Sequence, residues 1–145
     1  MCEMPAIQIL VVDDHPVVRR VVCALLSRDP VLNVICETST GEQAVRKAEE
    51  FQPDLVLLDI SLPGISGIET ARRIRGASPR SQIIFLSQHD SLQMVKDALK
   101  VGGQGYVAKI DAGSELLKAI RSVREGKRFV SQRIVSQGWR MEMSQ

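Results

Sequence analysis

At 145 residues and 44% hydrophobic content, the chain can bury one core without disulfide or metal staples, and it is too short to call for a second folded unit. Its 19 basic and 17 acidic side chains leave a formal charge of +2, too near neutral to announce a nucleic-acid or membrane partner. No apolar run approaches the ~18 residues of a membrane span, the N-terminus lacks signal-peptide order, and Cys2, Cys23 and Cys36 show neither CxxC nor Cys/His spacing, so the expected setting is reducing and cytoplasmic.

In chain order, Ile7 to Val12 is a β-branched, apolar run ending in Asp13 and Asp14, and it predicts a first buried strand. Val17, Val18, Val21, Val22, Leu25 and Leu26 then recur at helical spacing behind Pro16, a residue suited to a helix start. Leu32 to Glu37 predicts a second strand, and the hydroxyls of Thr38 to Thr40 open a second helix with Ala44, Val45, Ala48 and Phe51 on one face. Leu55 to Asp59 is a third strand broken sharply by Pro63, Gly64 and Gly67, after which Ile65, Ile68, Ala71 and Ile74 mark a third helix. Ile83 to Leu86 leads to Ser87, with Gln88, His89 and Asp90 behind it, and Leu92, Val95, Ala98 and Leu99 make a fourth helix stopped by Gly102 and Gly103. Tyr106 to Ala108 is a brief fifth strand leading to Lys109, and Leu116, Leu117, Ile120 and Val123 give a fifth helix ending at Gly126.

Short apolar strands alternating with amphipathic helices predict a parallel sheet covered on both faces by right-handed crossovers. Ligands of such sheets bind beyond the carboxyl ends of the strands, where Asp13, Asp14, Asp59, Ser87 and Lys109 all fall. Carboxylates gathered there repel one another unless a cation lies between them, and hard oxygen donors suit Mg²⁺. A metal, a nucleophilic aspartate, a lysine and a hydroxyl are the parts phosphoryl transfer needs. Asp13 and Asp14 also suit the start of the first helix, where acids are favoured.

The pieces Val-Val-Asp-Asp-His-Pro, Leu-Leu-Asp-Ile-Ser-Leu-Pro-Gly-Ile-Ser-Gly, Ile-Phe-Leu-Ser and Gly-Tyr-Val-Ala-Lys resemble a response regulator receiver domain of two-component signalling, in family order and spacing over about residues 7–130. The resemblance implies a flavodoxin-like (βα)5 fold with strand order 2-1-3-4-5. It also implies that Asp59 accepts a phosphoryl group from a sensor histidine kinase. Asp14 would bind Mg²⁺ directly, Asp13 through water, and the Ser61 backbone carbonyl would complete the protein ligands together with Asp59. Lys109 would pair with the carboxylate and then with phosphoryl oxygens. Ser87 would be the switch hydroxyl and Tyr106 the aromatic that turns inward behind it, while Ser61 and His89 would tune dephosphorylation. Such a domain is not an enzyme on other molecules, although it phosphorylates and dephosphorylates itself. Gln88 departs from the small residue many receivers carry after the switch hydroxyl.

Lys118 to Gln145 holds seven Lys or Arg against two Glu, and Ala-Ile-Arg-Ser-Val-Arg-Glu-Gly-Lys-Arg-Phe-Val-Ser resembles the receiver end in regulators that continue into a LuxR-type helix-turn-helix. The expected organisation is an extension (1–6), a receiver (7–130), and a tail or linker (131–145) toward an output domain absent from this chain, with no DNA binding by the chain alone. The expected output is a shift of the fourth helix, fifth strand and fifth helix that controls homodimerisation or transcription. A stand-alone receiver acting through protein contacts is the alternative. Flavin carriers and small phosphatases share the fold, but the chain lacks a glycine- or threonine-rich loop after the first strand and an aspartate two residues beyond Asp59.

Overall fold

The computed structural model describes residues 6–89 and 91–139; Cys2, the loop residue Asp90 and the end of the basic tail lie outside them. Six parallel strands, β1 (Ile7–Val12), β2 (Leu32–Thr38), β3 (Leu55–Asp59), β4 (Gln82–Ser87), β5 (Gly105–Ala108) and β6 (Phe129–Val130), lie in the order β2-β1-β3-β4-β5-β6. They alternate with helices α1 (Pro16–Leu26), α2 (Gly41–Phe51), α3 (Gly67–Ala77), α4 (Leu92–Lys100), α5 (Ala112–Arg124) and α6 (Gln132–Val135). The expected order 2-1-3-4-5 is present, extended by a sixth strand too short for any periodicity to reveal.

Alternation along the strands divides the core in two. Ile9, Val11, Leu55, Leu57, Ile84, Leu86 and Val107 face α1 and α5. Leu10, Val12, Val56, Leu58, Ile83, Phe85 and Tyr106 face α2, α3 and α4, joined by Val130, Ile134 and Trp139 from the chain's end. β1, β3, β4 and β5 are therefore apolar on both sides, the condition that demands helices on both faces.

Local chemistry sets the helix starts. Thr40, Ser66 and Ser91 cap α2, α3 and α4 by accepting the N–H of Gln43, Glu69 and Met94. His15 precedes α1 without a side-chain cap, Pro16 supplying the preset φ instead. The apolar stripe read along α1 is wider than the face it buries: Val22, Leu25 and Leu26 are inside, while Val17 and Val21 are 70% and 54% exposed. Phe51 is likewise 42% exposed, with the Lys47 ammonium over its ring.

Candidate functional site

Register builds the site. Val12 pairs with Leu58, Asp59 with Leu86, and Ser87 with Ala108, so Asp13, Asp59, Ser87 and Lys109 emerge at one rim of the sheet. Neighbouring parallel strands are only about 4.8 Å apart, so residues level with one another at the strand ends converge.

Asp59 is 2% exposed at the end of β3. Its Oδ1 accepts the Ser61 N–H at 3.0 Å, and its Oδ2 lies 3.2 Å from Lys109 Nζ. The same ammonium stands 2.8 Å from Asp13 Oδ2. Asp13 Oδ1 accepts the His15 N–H at 2.9 Å, and Arg19 Nη1 donates to the Asp13 carbonyl at 2.6 Å. Asp14 accepts none of the helix-start N–H groups; its Oδ1 faces His15 Nδ1 at 3.2 Å. Burial pushes the Asp59 carboxyl above its ordinary range; the Ser61 N–H and the Lys109 charge pull it back down, and the Asp13 carboxylate adds to the rise.

Ligand atoms of Asp13, Asp14, His15 and Asp59 all lie within 4.8 Å of one another. Asp13 Oδ2, Asp14 Oδ1 and Asp59 Oδ2 are buried acceptors with no aligned hydrogen-bond donor; Lys109 approaches the first and third, and His15 the second, at ion-pair distance only. Buried acceptors in that condition fit a cation, and an oxygen-dominated set suits the hard divalent ions.

The turn behind Asp59 has little room. Gly64 sits at φ +77°, and a Cβ on Gly67 would stand 2.4 Å from the Asp59 carbonyl oxygen, so α3 starts against the strand end. Across the mouth, Ser61 Oγ and His89 Nε2 are 3.1 Å apart. The Ser87 hydroxyl is buried at the end of β4 and accepts the His89 N–H at 2.9 Å. Tyr106 lies fully inside and donates its O–H to the His89 carbonyl at 2.9 Å.

Every residue expected from the sequence is thus at one rim, with Tyr106 behind it. Two contributors carried no expectation from the sequence, Arg19 holding the Asp13 backbone and Arg133 of α6, while His15, quoted with the acidic pair, stands beside both carboxylates. Arg19 was legible in principle, standing one helical turn beyond His15. Arg133 was not, since nothing local indicates that α6 folds back to the rim.

A profile of the response regulator receiver domain family matches residues 9–121. The chain is 39% identical over 124 residues to the nitrate/nitrite response regulator protein NarL of Escherichia coli, covering 86% of this chain and 57% of that protein. It is 37% identical over 129 residues to the transcriptional activator protein ExaE of Pseudomonas putida, covering 89% of this chain and 60% of that one. The chain therefore spans about 60% of the length of these relatives. Among solved structures, a LuxR-family two-component response regulator from an Aurantimonas species superposes with a TM-score of 0.86 at 34% identity, covering 90% of this chain and 94% of that one. The receiver domain of a NarL regulator from Mycobacterium tuberculosis gives a TM-score of 0.80 at 30% identity, covering 86% of this chain and all of that one (100%). The fold, the rim of acids around Asp59 and these matches together place the chain in the response regulator receiver domain family of two-component signalling.

Proposed function

We propose that Asp59 is the phosphoacceptor and that its phosphorylation by a sensor histidine kinase is the input to this protein. The observation that carries the reading is the meeting of Asp59 Oδ2, Asp13 Oδ2 and Lys109 Nζ at a rim also reached by Ser87. An Asp59 oxygen forms the new P–O bond as the P–N bond to the kinase imidazole breaks. Lys109 neutralises charge on the phosphoryl oxygens, and Ser87 turns its hydroxyl toward them.

Asp14, Asp59 and the Ser61 carbonyl would hold Mg²⁺, with Asp13 acting through water; the bound ion would neutralise charge on the transferring group. Support for the split between the two acids lies in their surroundings: the Lys109 ammonium stands 2.8 Å from Asp13 Oδ2 and the His15 N–H donates to Asp13 Oδ1, whereas the Asp14 side chain is 32% exposed. Ser61 and His89, facing each other over the mouth, tune hydrolysis by controlling how water approaches. The same residues would let the domain phosphorylate itself from small donors and dephosphorylate itself.

The phosphoryl group brings about −1.5 to −2 of charge and three strong acceptor oxygens. Drawing Ser87 toward them releases the His89 loop that Tyr106 holds, which shifts α4, β5 and α5. Residues 7–130 are the receiver on this reading, acting in the cytoplasm; among the described residues no helix is long and apolar enough to cross a membrane. The output is transcription through a DNA-binding domain outside this chain, with homodimerisation as the step between. Incubation with Mg²⁺ and a small phosphodonor followed by intact mass tests the input: wild type gains one phosphoryl group and Asp59→Asn gains none, and equal gain by both overturns the assignment.

A further inference from the structure

The end of β5 is held from outside the five-strand core. Ser131, just past β6, is fully buried. Its N–H donates to the Tyr106 carbonyl at 2.9 Å, its hydroxyl accepts the Ala108 N–H at 2.8 Å, and the same hydroxyl donates to Glu115 Oε1 at 2.6 Å. Glu115 Oε2 accepts the Gln132 N–H at 3.0 Å, so both carboxylate oxygens are engaged and the Ser131 oxygen presents a lone pair to Ala108.

Ala108 is where this network meets the rim. It pairs with Ser87 of β4 and directly precedes Lys109. β6 stops at Val130, opposite Tyr106, so strand pairing does not extend to Ala108 on that side and the Ser131 side chain takes its place. A buried N–H needs an acceptor, and here a residue 23 positions along the chain supplies it.

The segment that carries Ser131 is held by a narrow margin. Ile134 and Trp139 are buried in the same core cluster as Tyr106, but the indole N–H of Trp139 has no acceptor among the described residues, a cost that offsets part of what burying the ring contributes. α6 has four residues, too few to stand without packing. Whatever orders Ala108 and Lys109 therefore favours docking of the segment, and docking favours that order in return.

We propose that Ser131 is a positioning residue for Lys109 and that, through it, docking of residues 129–139 and the phosphoryl group on Asp59 stabilise each other. This inference rests on the phosphoacceptor reading of Asp59. With the segment docked, the Lys109 turn is fixed before transfer. With the phosphoryl group in place, Ser87 and Lys109 are held at its oxygens, and Ala108 between them is kept against Ser131. The coupling is reciprocal by linkage. The signal thereby leaves along the chain itself, through the segment after α5, as well as across the face of α4, β5 and α5.

Hydrogen exchange over residues 129–139, read by mass spectrometry in Mg²⁺ with and without beryllofluoride as a stable stand-in for the phosphoryl group, tests the coupling. Beryllofluoride is expected to slow exchange there about fivefold in wild type, to the same extent at high and low protein concentration, and to have no effect in Asp59→Asn or Ser131→Ala. Initial phosphorylation rates with phosphoramidate are the second arm: Ser131→Ala lowers the rate about fivefold, and Ser131→Thr, which keeps the hydroxyl, stays within about twofold of wild type. An unchanged rate in Ser131→Ala, or a beryllofluoride response that survives in it, makes Ser131 a packing residue and overturns the proposal. Slowing that grows with protein concentration is burial between copies and overturns it too. The wild-type arm needs no variant, so the test stands if Ser131→Ala fails to fold. Wild type that takes neither phosphoryl group nor beryllofluoride sinks the phosphoacceptor reading, and the coupling falls with it; phosphorylation of Asp59 with exchange at residues 129–139 unchanged or faster overturns the coupling alone.

Discussion

Replacing Asp59 with Asn at neutral pH in a chelating buffer should stabilise the fold. Lys109 Nζ at 3.2 Å attracts the carboxylate by ~5 kcal/mol at an effective dielectric of about 20. Asp13, within 4.8 Å, repels it by at least ~3.5 kcal/mol on the same scale. These opposing Coulomb terms largely offset each other, and removing a buried carboxylate from water, a cost of several kcal/mol per ion, decides the sign. The raised Asp59 carboxyl has the same cause. Lys109 keeps Asp13 as its partner in the variant, at 2.8 Å. The expected gain is about 1–2 kcal/mol, or a melting temperature higher by roughly 2–6 °C.

The pH dependence follows from the direction of the shift. The unfolded chain releases the Asp59 proton near the ordinary value of 3.8, whereas the folded chain holds it to higher pH. The penalty is thus absent below about 3.8, grows through the window up to the folded value, and is complete above it. The advantage of Asn should be full at neutral pH and shrink as pH falls through that window. Saturating Mg²⁺ should reverse the order, because at a hundred times its Kd a ligand adds about 2.7 kcal/mol to the form that binds it. Thermal melts of both proteins at several pH values, with and without Mg²⁺, measure all of this. A variant that melts below wild type at pH 7 in chelator would refute the electrostatic account.

Ser131→Ala leaves the Ala108 N–H buried without its acceptor and takes the donor from Glu115 Oε1; urea unfolding should show a loss of about 1–3 kcal/mol. Gly67→Ala drives a methyl against the Asp59 carbonyl oxygen and the Ile60 Cα, so it should cost about 1–3 kcal/mol in the same assay and slow phosphorylation by displacing Asp59. Burial, reinforced by Glu37, pushes the Cys23 thiol up to about 11. At pH 8 only about one thousandth of it is thiolate, so mass-resolved alkylation of this cysteine should be slow and should accelerate as pH approaches that value. Trp139, the single tryptophan, is 3% exposed against the α4 side of the core. Its emission should be blue-shifted and should move to the red in the transition reported by circular dichroism; a separate, earlier change would show that the segment after α5 unfolds on its own.

Most of the site could be read from the chain because the determinants are local. A four-residue apolar run such as Leu55 to Leu58, closed by Pro63 and Gly64, has the length and flanks of a strand buried on both faces, and the charge after it stands at the rim. The same reasoning placed Asp13, Ser87 and Lys109. The hydroxyls of Thr38 to Thr40 marked the start of α2 for an equally local reason, since Thr40 satisfies a donor within its own first turn, as Ser66 and Ser91 do for α3 and α4.

What needed three dimensions depends on partners far along the chain. The sequence by itself determined which residues are helical in α1, but only packing against the sheet decided that Val22 is buried and Val21 exposed. The two-residue β6 has no periodicity of its own and exists because Phe129 and Ser131 find backbone partners on the β5 side, at Gln104 and Tyr106. Arg133 reaches the rim for the same reason. A strand end can be recognised from its own composition, whereas a side chain that a distant helix carries back to that end depends on contacts no local pattern encodes.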